Sequence, residues 1–173
     1  IDSALSAAIK PQPDRAYDPE ATDTLYPLSE QSLYELLDYI RQKDLQVLFV
    51  DTPKVLGTQV GLCNRILQIL EEEGFAYLTY MDIPEDGSFP LEIDYKTDFY
   101  DSGHVNYYGA EKFTRALATY LQKHYALPDR REDPRAREDW DGLYEIIRED
   151  MKVIEEQTAA RGNQIPSGDM PAE

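Results

Sequence analysis

The segment Gln46-Val-Leu-Phe-Val-Asp-Thr-Pro53 decides the fold class of this chain. Its apolar part, from Val47 to Val50, is short and rich in β-branched residues, and the polar Asp51 follows directly. A continuous apolar run that ends in a polar loop predicts a buried strand of a parallel sheet. A second run, Phe75-Ala-Tyr-Leu-Thr-Tyr80, predicts another strand of the same kind.

Helical patterns alternate with these two strands. Apolar residues recur at helical spacing in three segments, at about 29–43, 58–73 and 108–125. Ser29 is a candidate N-cap for the first helix, and Gly74 is a candidate stop for the second. This order predicts an α/β fold, a flavodoxin-like three-layer α/β/α arrangement around a parallel sheet. Because two strands are few for such a sheet, we expect further strands upstream of Ile1.

Four regions are expected along the chain. Residues 1–28 form a short helix and a linker, 29–127 the α/β domain, 128–160 a helical extension, and 161–173 a disordered tail. An amphipathic helix is predicted in the extension from apolar residues at helical spacing, namely Trp140, Leu143, Tyr144, Ile147, Met151 and Ile154. We expect this apolar stripe to pack on the domain, and docking onto a partner is the alternative.

The chain is strongly acidic, with a formal net charge of -17. Such a chain repels the phosphate backbone of a nucleic acid and the surface of an anionic membrane, so neither is expected as a partner. Cys63 is the only cysteine, which excludes an intrachain disulfide and a cysteine-based zinc site. No cofactor or metal is predicted.

An acidic loop between Met81 and Asp101 is the one place where the sequence could bind a metal ion. Its carboxylates could bind calcium, but their spacing is not that of an EF-hand loop, and solvated acidic loops are common. They belong to Asp82, Glu85, Asp86, Asp94, Asp98 and Asp101.

Asp101 and His104 are the residues whose types and spacing indicate chemistry. A serine hydroxyl needs a base within hydrogen-bond reach, and imidazole has a suitable pKa for that task. A carboxylate on the far ring nitrogen holds the imidazole in one tautomer and stabilises the imidazolium that forms. An Asp three residues before a His in a tight loop can reach that nitrogen, and Gly103 would let the backbone turn between them.

The stretch around this pair, Thr97-Asp-Phe-Tyr-Asp-Ser-Gly-His-Val-Asn-Tyr-Tyr-Gly-Ala-Glu-Lys-Phe113, resembles the last conserved block of the SGNH (GDSL-type) hydrolase superfamily. In that block an Asp-x-x-His pair is followed by an Asn, a Gly-Ala step and the final helix. The residues that match are Asp101, His104, Asn106, Gly109 and Ala110. Weaker similarity extends over about 29–157, and its C-terminal part resembles a Firmicutes subgroup.

This resemblance implies a serine esterase or O-acyl transferase that acts on an acylated carbohydrate or a cell-surface polymer. His104 would be the general base and then the acid, and Asp101 would orient it. Asn106, Tyr100 and Tyr107 are candidate substrate-binding residues. The resemblance also implies an extracellular or cell-surface location, with membrane attachment only through a missing N-terminal anchor.

The nucleophile block of that family is not visible in the sequence. Ser3 has no preceding glycine or strand, Ser102 lies inside the Asp-His loop, and Asn64 falls within a predicted helix, so none is assigned to the nucleophile or the oxyanion hole. We therefore expect the chain to be the C-terminal portion of a longer hydrolase. The alternatives are a degenerate relative and a non-catalytic binding or assembly module. An unpaired sheet edge would favour a homodimer.

Overall fold

The structure is a computed structural model, and it describes residues 9–13, 17–55 and 59–162 of the 173-residue chain. Within these ranges the elements are α1 (Pro27–Gln42), β1 (Leu48–Asp51), α2 (Val60–Glu72), β2 (Ala76–Thr79), α3 (Tyr107–His124) and α4 (Pro134–Gly162). Helices alternate with parallel strands, which confirms the predicted α/β class. The helix predicted within 1–10 and the tail predicted from 161 lie almost entirely outside the described residues.

The two strands pair in parallel, with Leu48 opposite Ala76 and Asp51 opposite Thr79. Parallel strands need a crossover connection, and α2 provides it. Both strands therefore end at the same edge, which we call the carboxyl edge. The Thr79 hydroxyl donates a hydrogen bond to Asp51 Oδ2 there, at 3.3 Å. In the part of the chain that the structure describes, the sheet consists of these two strands.

The sheet lies between two apolar clusters. Leu48 and Leu78 belong to the cluster around Phe89, which is completely buried. Phe49 and Tyr77 belong to the cluster that α1 and α2 form on the other side. Because successive residues of a strand point to opposite faces, this assignment places apolar side chains on both faces of the sheet. The prediction that the run from Val47 is fully buried is wrong for Val50, which is exposed.

The ends of the first two helices differ in how well the sequence predicts them. The prediction that Ser29 is the N-cap of α1 is wrong, because the helix starts at Pro27 and Tyr26 is its N-cap. Proline suits the first helical position, since it has no N–H and its φ already fits a helix. The stop predicted after α2 is confirmed, and Gly74 has the positive φ of 72° that favours glycine.

Helix α4 contacts the domain with only part of its apolar stripe. Ile154 is buried and Met151 is half-buried, whereas Trp140 and Tyr144 are 65% and 63% exposed. The prediction that the whole stripe packs on the domain is therefore wrong for its N-terminal half. The pattern shows which face is apolar, and it carries no information on what covers that face. None of the described helices combines the length and apolar character that a membrane span requires.

Candidate functional site

The candidate pair lies in a loop that is closed at its base. Phe99 and Val105 form an antiparallel bridge across the two ends of the loop. Within it, the amides of Tyr100 and Asp101 both donate to the His104 carbonyl oxygen, at 2.9 and 3.3 Å. These bonds fix the backbone on both sides of the turn. The side chains of Asp101 and His104 therefore start from fixed backbone positions.

Asp101 and His104 are hydrogen-bonded to each other. Nδ1 of His104 lies 2.8 Å from Oδ1 of Asp101, and the amide of Gly103 donates to the same oxygen at 2.8 Å. The hydrogen bond with His104, and then that with Gly103, holds the pKa of Asp101 below its ordinary value of 3.8. Asp101 is therefore an anion that accepts from Nδ1–H.

This arrangement determines what the imidazole can do. An Nδ1–H that donates to a carboxylate leaves the lone pair of a neutral ring on Nε2. The side chain of His104 is 75% exposed, so solvent and reactants can reach that atom. The pair can thus remove a proton from a hydroxyl group, and Asp101 stabilises the imidazolium that results.

One hydrogen bond connects the loop to the segment that follows β1, and a second connects that segment to the residue that follows β2. Val55, just beyond β1, donates its amide hydrogen to the carbonyl oxygen of Ser102 at 2.8 Å. Tyr80, just beyond β2, donates its hydroxyl hydrogen to the carbonyl oxygen of Lys54 at 2.6 Å. Open α/β sheets bind their ligands at this edge, so the pair lies where the fold favours a site.

Asn106 joins the loop to α3 as the N-cap of the helix. Its Oδ1 accepts from the amides of Tyr108 and Gly109, at 3.0 and 3.1 Å. Its Nδ2 donates to the carbonyl oxygen of Thr97 at 2.7 Å, and the residue is 2% exposed. Both ends of this candidate substrate-binding side chain are thus used to hold the base of the loop.

Asp98 anchors the loop from inside, and sequence reasoning missed this role. It is 1% exposed, and its Oδ2 accepts from the amide of Asp94 at 2.8 Å and from Lys112 Nζ at 2.6 Å. Lys112 comes from α3, so this ion pair joins the start of the loop to the helix. Asp98 and Lys112 are far apart in the chain, and no local pattern links them.

Gly109 explains the Gly-Ala step of the motif. A Cβ atom at this position would lie 2.4 Å from the Asp98 carbonyl oxygen and 2.9 Å from Val105 Cβ. Only glycine lets α3 approach the loop this closely. Gly103 is different, because its φ is not positive and a Cβ there would meet only Asp101 Oδ1, at 3.6 Å. The turn at 103 therefore does not use the conformational freedom that was expected of Gly103.

Two tyrosines, Tyr100 and Tyr107, flank the pair in the sequence. Tyr100 is half-buried, and its amide donates a hydrogen bond to the carbonyl oxygen of His104. Lys10 Nζ lies 5.0 Å from the centroid of the Tyr100 ring. The rings of Tyr107 and Tyr108 meet edge to face, with their centroids 5.4 Å apart. Burial raises the pKa of Tyr107 above its ordinary value of 10.0. Of the two tyrosines predicted to bind substrate, Tyr100 thus lies within the loop of the pair and Tyr107 at the start of α3.

Three of the six carboxylates of the acidic loop pair with a basic side chain. Asp98 bonds Lys112, Asp101 bonds His104, and Asp86 pairs with Lys123 at 2.9 Å. Hydrogen bonds from Ser88 and Lys123 hold the pKa of Asp86 well below its usual range. Within residues 9–13, 17–55 and 59–162, no group of three or more His, Cys, Asp or Glu side chains could hold a metal ion.

The remaining candidates have structural contacts or lie outside the described ranges. Asn64 Nδ2 donates to the carbonyl oxygens of Asp18 and Ala21, so it holds the N-terminal segment against α2. Ser3 falls outside the described residues. Among the residues that the structure describes, no serine hydroxyl bonds the ring of His104.

The chain was compared with protein-family models, with curated proteins and with solved structures. None of them matches it.

Proposed function

We propose that Asp101 and His104 are the orienting acid and the general base of an SGNH-type serine esterase or O-acyl transferase. In this proposal the chain forms the C-terminal portion of a flavodoxin-like three-layer domain whose other strands precede it. The observation that supports it best is the 2.8 Å bond between Asp101 Oδ1 and His104 Nδ1, next to the carboxyl edge of the sheet.

The reaction would proceed through an acyl-serine intermediate. His104 Nε2 accepts the proton of a serine hydroxyl as Oγ attacks the acyl carbonyl, and it returns this proton to the departing alkoxide. In the second half, His104 removes a proton from water or from an acceptor hydroxyl as its oxygen attacks the acyl carbonyl, and His104 returns this proton to the departing serine Oγ. The nucleophile and the oxyanion donors would come from residues outside the described ranges.

An acylated carbohydrate or a cell-surface polymer is the substrate class that we favour, with an extracellular or surface location. Tyr100 carries this part of the proposal. Tyr100 directly precedes Asp101 in the loop and is half-buried, and aromatic rings present flat apolar faces to sugar rings. Lys10 above the same ring would attract an anionic group of such a polymer.

The tautomer of His104 tests the proposal on this chain. In ¹⁵N NMR we expect the neutral ring to carry its proton on Nδ1, and Asp101→Asn to shift the population toward Nε2–H. His124, which stacks on Tyr120 at the end of α3, is the matched control and should not respond. A His104 ring that is unaffected by Asp101→Asn would contradict the proposed role of the pair.

A catalytic test complements the spectroscopic one. With p-nitrophenyl acetate, we expect this chain alone to be inactive or barely active, because no serine among the described residues bonds the ring of His104. A longer polypeptide that contains the preceding strands should turn over the ester and lose that activity on His104→Ala but not on His124→Ala. Robust turnover by this chain alone, abolished by His104→Ala, would show that the nucleophile lies within it.

A non-catalytic binding or assembly module is the second candidate. The observation that favours it is that no described serine bonds the ring of His104. If the longer polypeptide binds an acylated carbohydrate but never releases the acyl group, and His104→Ala leaves that binding unchanged, this second function is the correct one.

A further inference from the structure

Tyr80 follows β2 directly, and its ring belongs to the core while its hydroxyl reaches the carboxyl edge. The residue is 5% exposed and is part of the apolar cluster around Phe89. Its hydroxyl donates to the carbonyl oxygen of Lys54 at 2.6 Å. Because packing holds the ring, this short hydrogen bond fixes the position of the carbonyl group that accepts it.

The carbonyl of Lys54 and the amide of Val55 belong to the same peptide group. That amide donates to the carbonyl oxygen of Ser102 at 2.8 Å. A trans peptide group is planar, and its C=O and N–H point in opposite directions, so hydrogen bonds at both ends fix the orientation of its plane. One rigid group therefore connects the hydroxyl of Tyr80 to the Asp-His loop.

A second peptide group continues this connection to the carboxylate of the pair. It contains the carbonyl of Ser102 and the amide of Gly103, and this amide donates to Asp101 Oδ1 at 2.8 Å. The same oxygen lies 2.8 Å from Nδ1 of His104. An unbroken series of hydrogen bonds, each between 2.6 and 2.8 Å long, thus runs from the hydroxyl of Tyr80 to the imidazole.

The donors from the hydroxyl to the carboxylate all point the same way along this series. The phenolic O–H and the two peptide N–H groups each direct their hydrogen toward Asp101, so two peptide dipoles of about 3.5 D turn their positive ends to its carboxylate. Hydrogen bonds in series polarise one another, and a peptide group that accepts at its oxygen becomes a better donor at its nitrogen. After the bond with His104, the amide of Gly103 is the largest cause of the lowered pKa of Asp101.

We propose that Tyr80 is a positioning residue for Asp101 and His104, and that its hydroxyl acts on them through these two peptide groups. The inference rests on the catalytic role proposed for the pair. Tyr80 follows β2 and Val55 follows β1, so the series refers the orientation of the loop to both strands. The ring of Tyr80 is buried, and it therefore orients the pair before substrate binds without touching the substrate.

Tyr80→Phe tests the proposal on this chain. The ring keeps its packing, and the ion pair between Lys54 and Asp51 at 2.5 Å still holds the segment after β1, so we expect the variant to fold. The amide of Val55 should exchange about fivefold faster, which is the effect of losing one hydrogen bond of ordinary strength. The scalar coupling across the hydrogen bond from Val55 nitrogen to the carbonyl carbon of Ser102 should weaken.

The titration of Asp101 gives a readout that a merely structural role would not move. Its midpoint should rise toward the ordinary 3.8 in Tyr80→Phe, because the last donor of the series becomes weaker. A 3-fluorotyrosine at position 80 is a stronger donor, so it should move the midpoint and the coupling the opposite way. It retains the hydroxyl and decides the question even where the phenylalanine variant does not fold. Tyr120→Phe, which removes a hydroxyl from the last third of α3, is the control and should change neither readout.

The outcomes separate this inference from the proposed function. If Tyr80→Phe leaves Val55 exchange and the Asp101 midpoint unchanged, or speeds exchange equally at the buried Leu70 of α2, Tyr80 does not position the pair. If both readouts respond but the longer polypeptide does not turn over p-nitrophenyl acetate, the positioning role stands and the proposed function fails. In an active longer polypeptide, Tyr80→Phe should lower kcat about fivefold and leave KM unchanged.

Discussion

Val55 and Ser102 are joined by a 2.8 Å hydrogen bond between the amide of the first and the carbonyl oxygen of the second. Val55 follows β1, and Ser102 lies between the two residues of the candidate pair. The bond therefore fixes the Asp-His loop at the edge where both strands end. Rigid strands position the loop from one side, and the Asn106 cap of α3 positions it from the other. An imidazole held in this way is oriented before any substrate binds.

The first prediction concerns the titration of Asp101. We expect its ¹³C carboxyl titration to have a midpoint below 3.8, and His104→Ala to return it toward 3.8, because the bond with His104 is the largest cause of the lowered pKa. Since the folded pKa is depressed, the stabilisation is present above the unfolded pKa and is lost as the pH falls through the folded pKa. Replacing His124 should not move the midpoint.

The second prediction compares two glycines of the motif. Gly109→Ala should destabilise the fold by roughly 2–4 kcal/mol, in the range of severe overpacking, because its Cβ would lie 2.4 Å from the Asp98 carbonyl oxygen. Gly103→Ala should cost under about 1 kcal/mol, because its Cβ meets only Asp101 Oδ1 at 3.6 Å. Urea denaturation measures both, and equal effects would contradict the close approach of α3.

Local patterns predicted the elements and the pair. The apolar run that ends at Val50 is a strand whose successive residues Leu48 and Phe49 pack against different apolar clusters, and that run is visible in the sequence. Asp101 and His104 are three residues apart, so a tight loop is sufficient to bring them together. In both cases the physical cause lies within a few neighbouring residues.

Long-range contacts could not be predicted in the same way. The pairing of Asp98 with Lys112 depends on how α3 packs, and the bond from Val55 to Ser102 depends on where the loop meets the sheet. The exposure of Trp140 has the same origin, since periodicity identifies an apolar face without identifying its neighbour. These features arise from packing between distant segments.

The third prediction concerns the ion pair beneath the loop. Lys112→Met should lower the free energy of unfolding by roughly 3 kcal/mol, because it leaves the carboxylate of Asp98 buried without its cation. Lys123→Met is the matched control. It removes a pair with Asp86 in which both side chains are about half exposed, and it should cost under about 1 kcal/mol. Similar losses of unfolding free energy in the two variants would show that the burial of Asp98 does not add to the cost of removing its cation.

The fourth prediction separates the two ends of the Asn106 side chain. Asn106→Ala removes the cap of α3 and the bond to Thr97, so we expect a loss of about 2 kcal/mol, at the upper end for a capping residue. Asn106→Asp keeps an acceptor for the amides of Tyr108 and Gly109 but removes the Nδ2 donor. Its loss should be at least as large, because the second carboxylate oxygen would face the Thr97 carbonyl oxygen in a buried site, although a carboxylate suits a helix N-terminus.

Amide exchange distinguishes this account from a general loss of stability. Asn106→Asp should speed exchange at the Asp-His loop, where the amides of Tyr100 and Asp101 bond His104, while the amide of Ala110 in the first turn of α3 stays protected. Asn106→Ala should speed exchange at both places. If Asn106→Asp instead exposes the first turn of α3 and leaves the loop protected, the bond to Thr97 does not hold the base of the loop, and Asn106 serves only the helix.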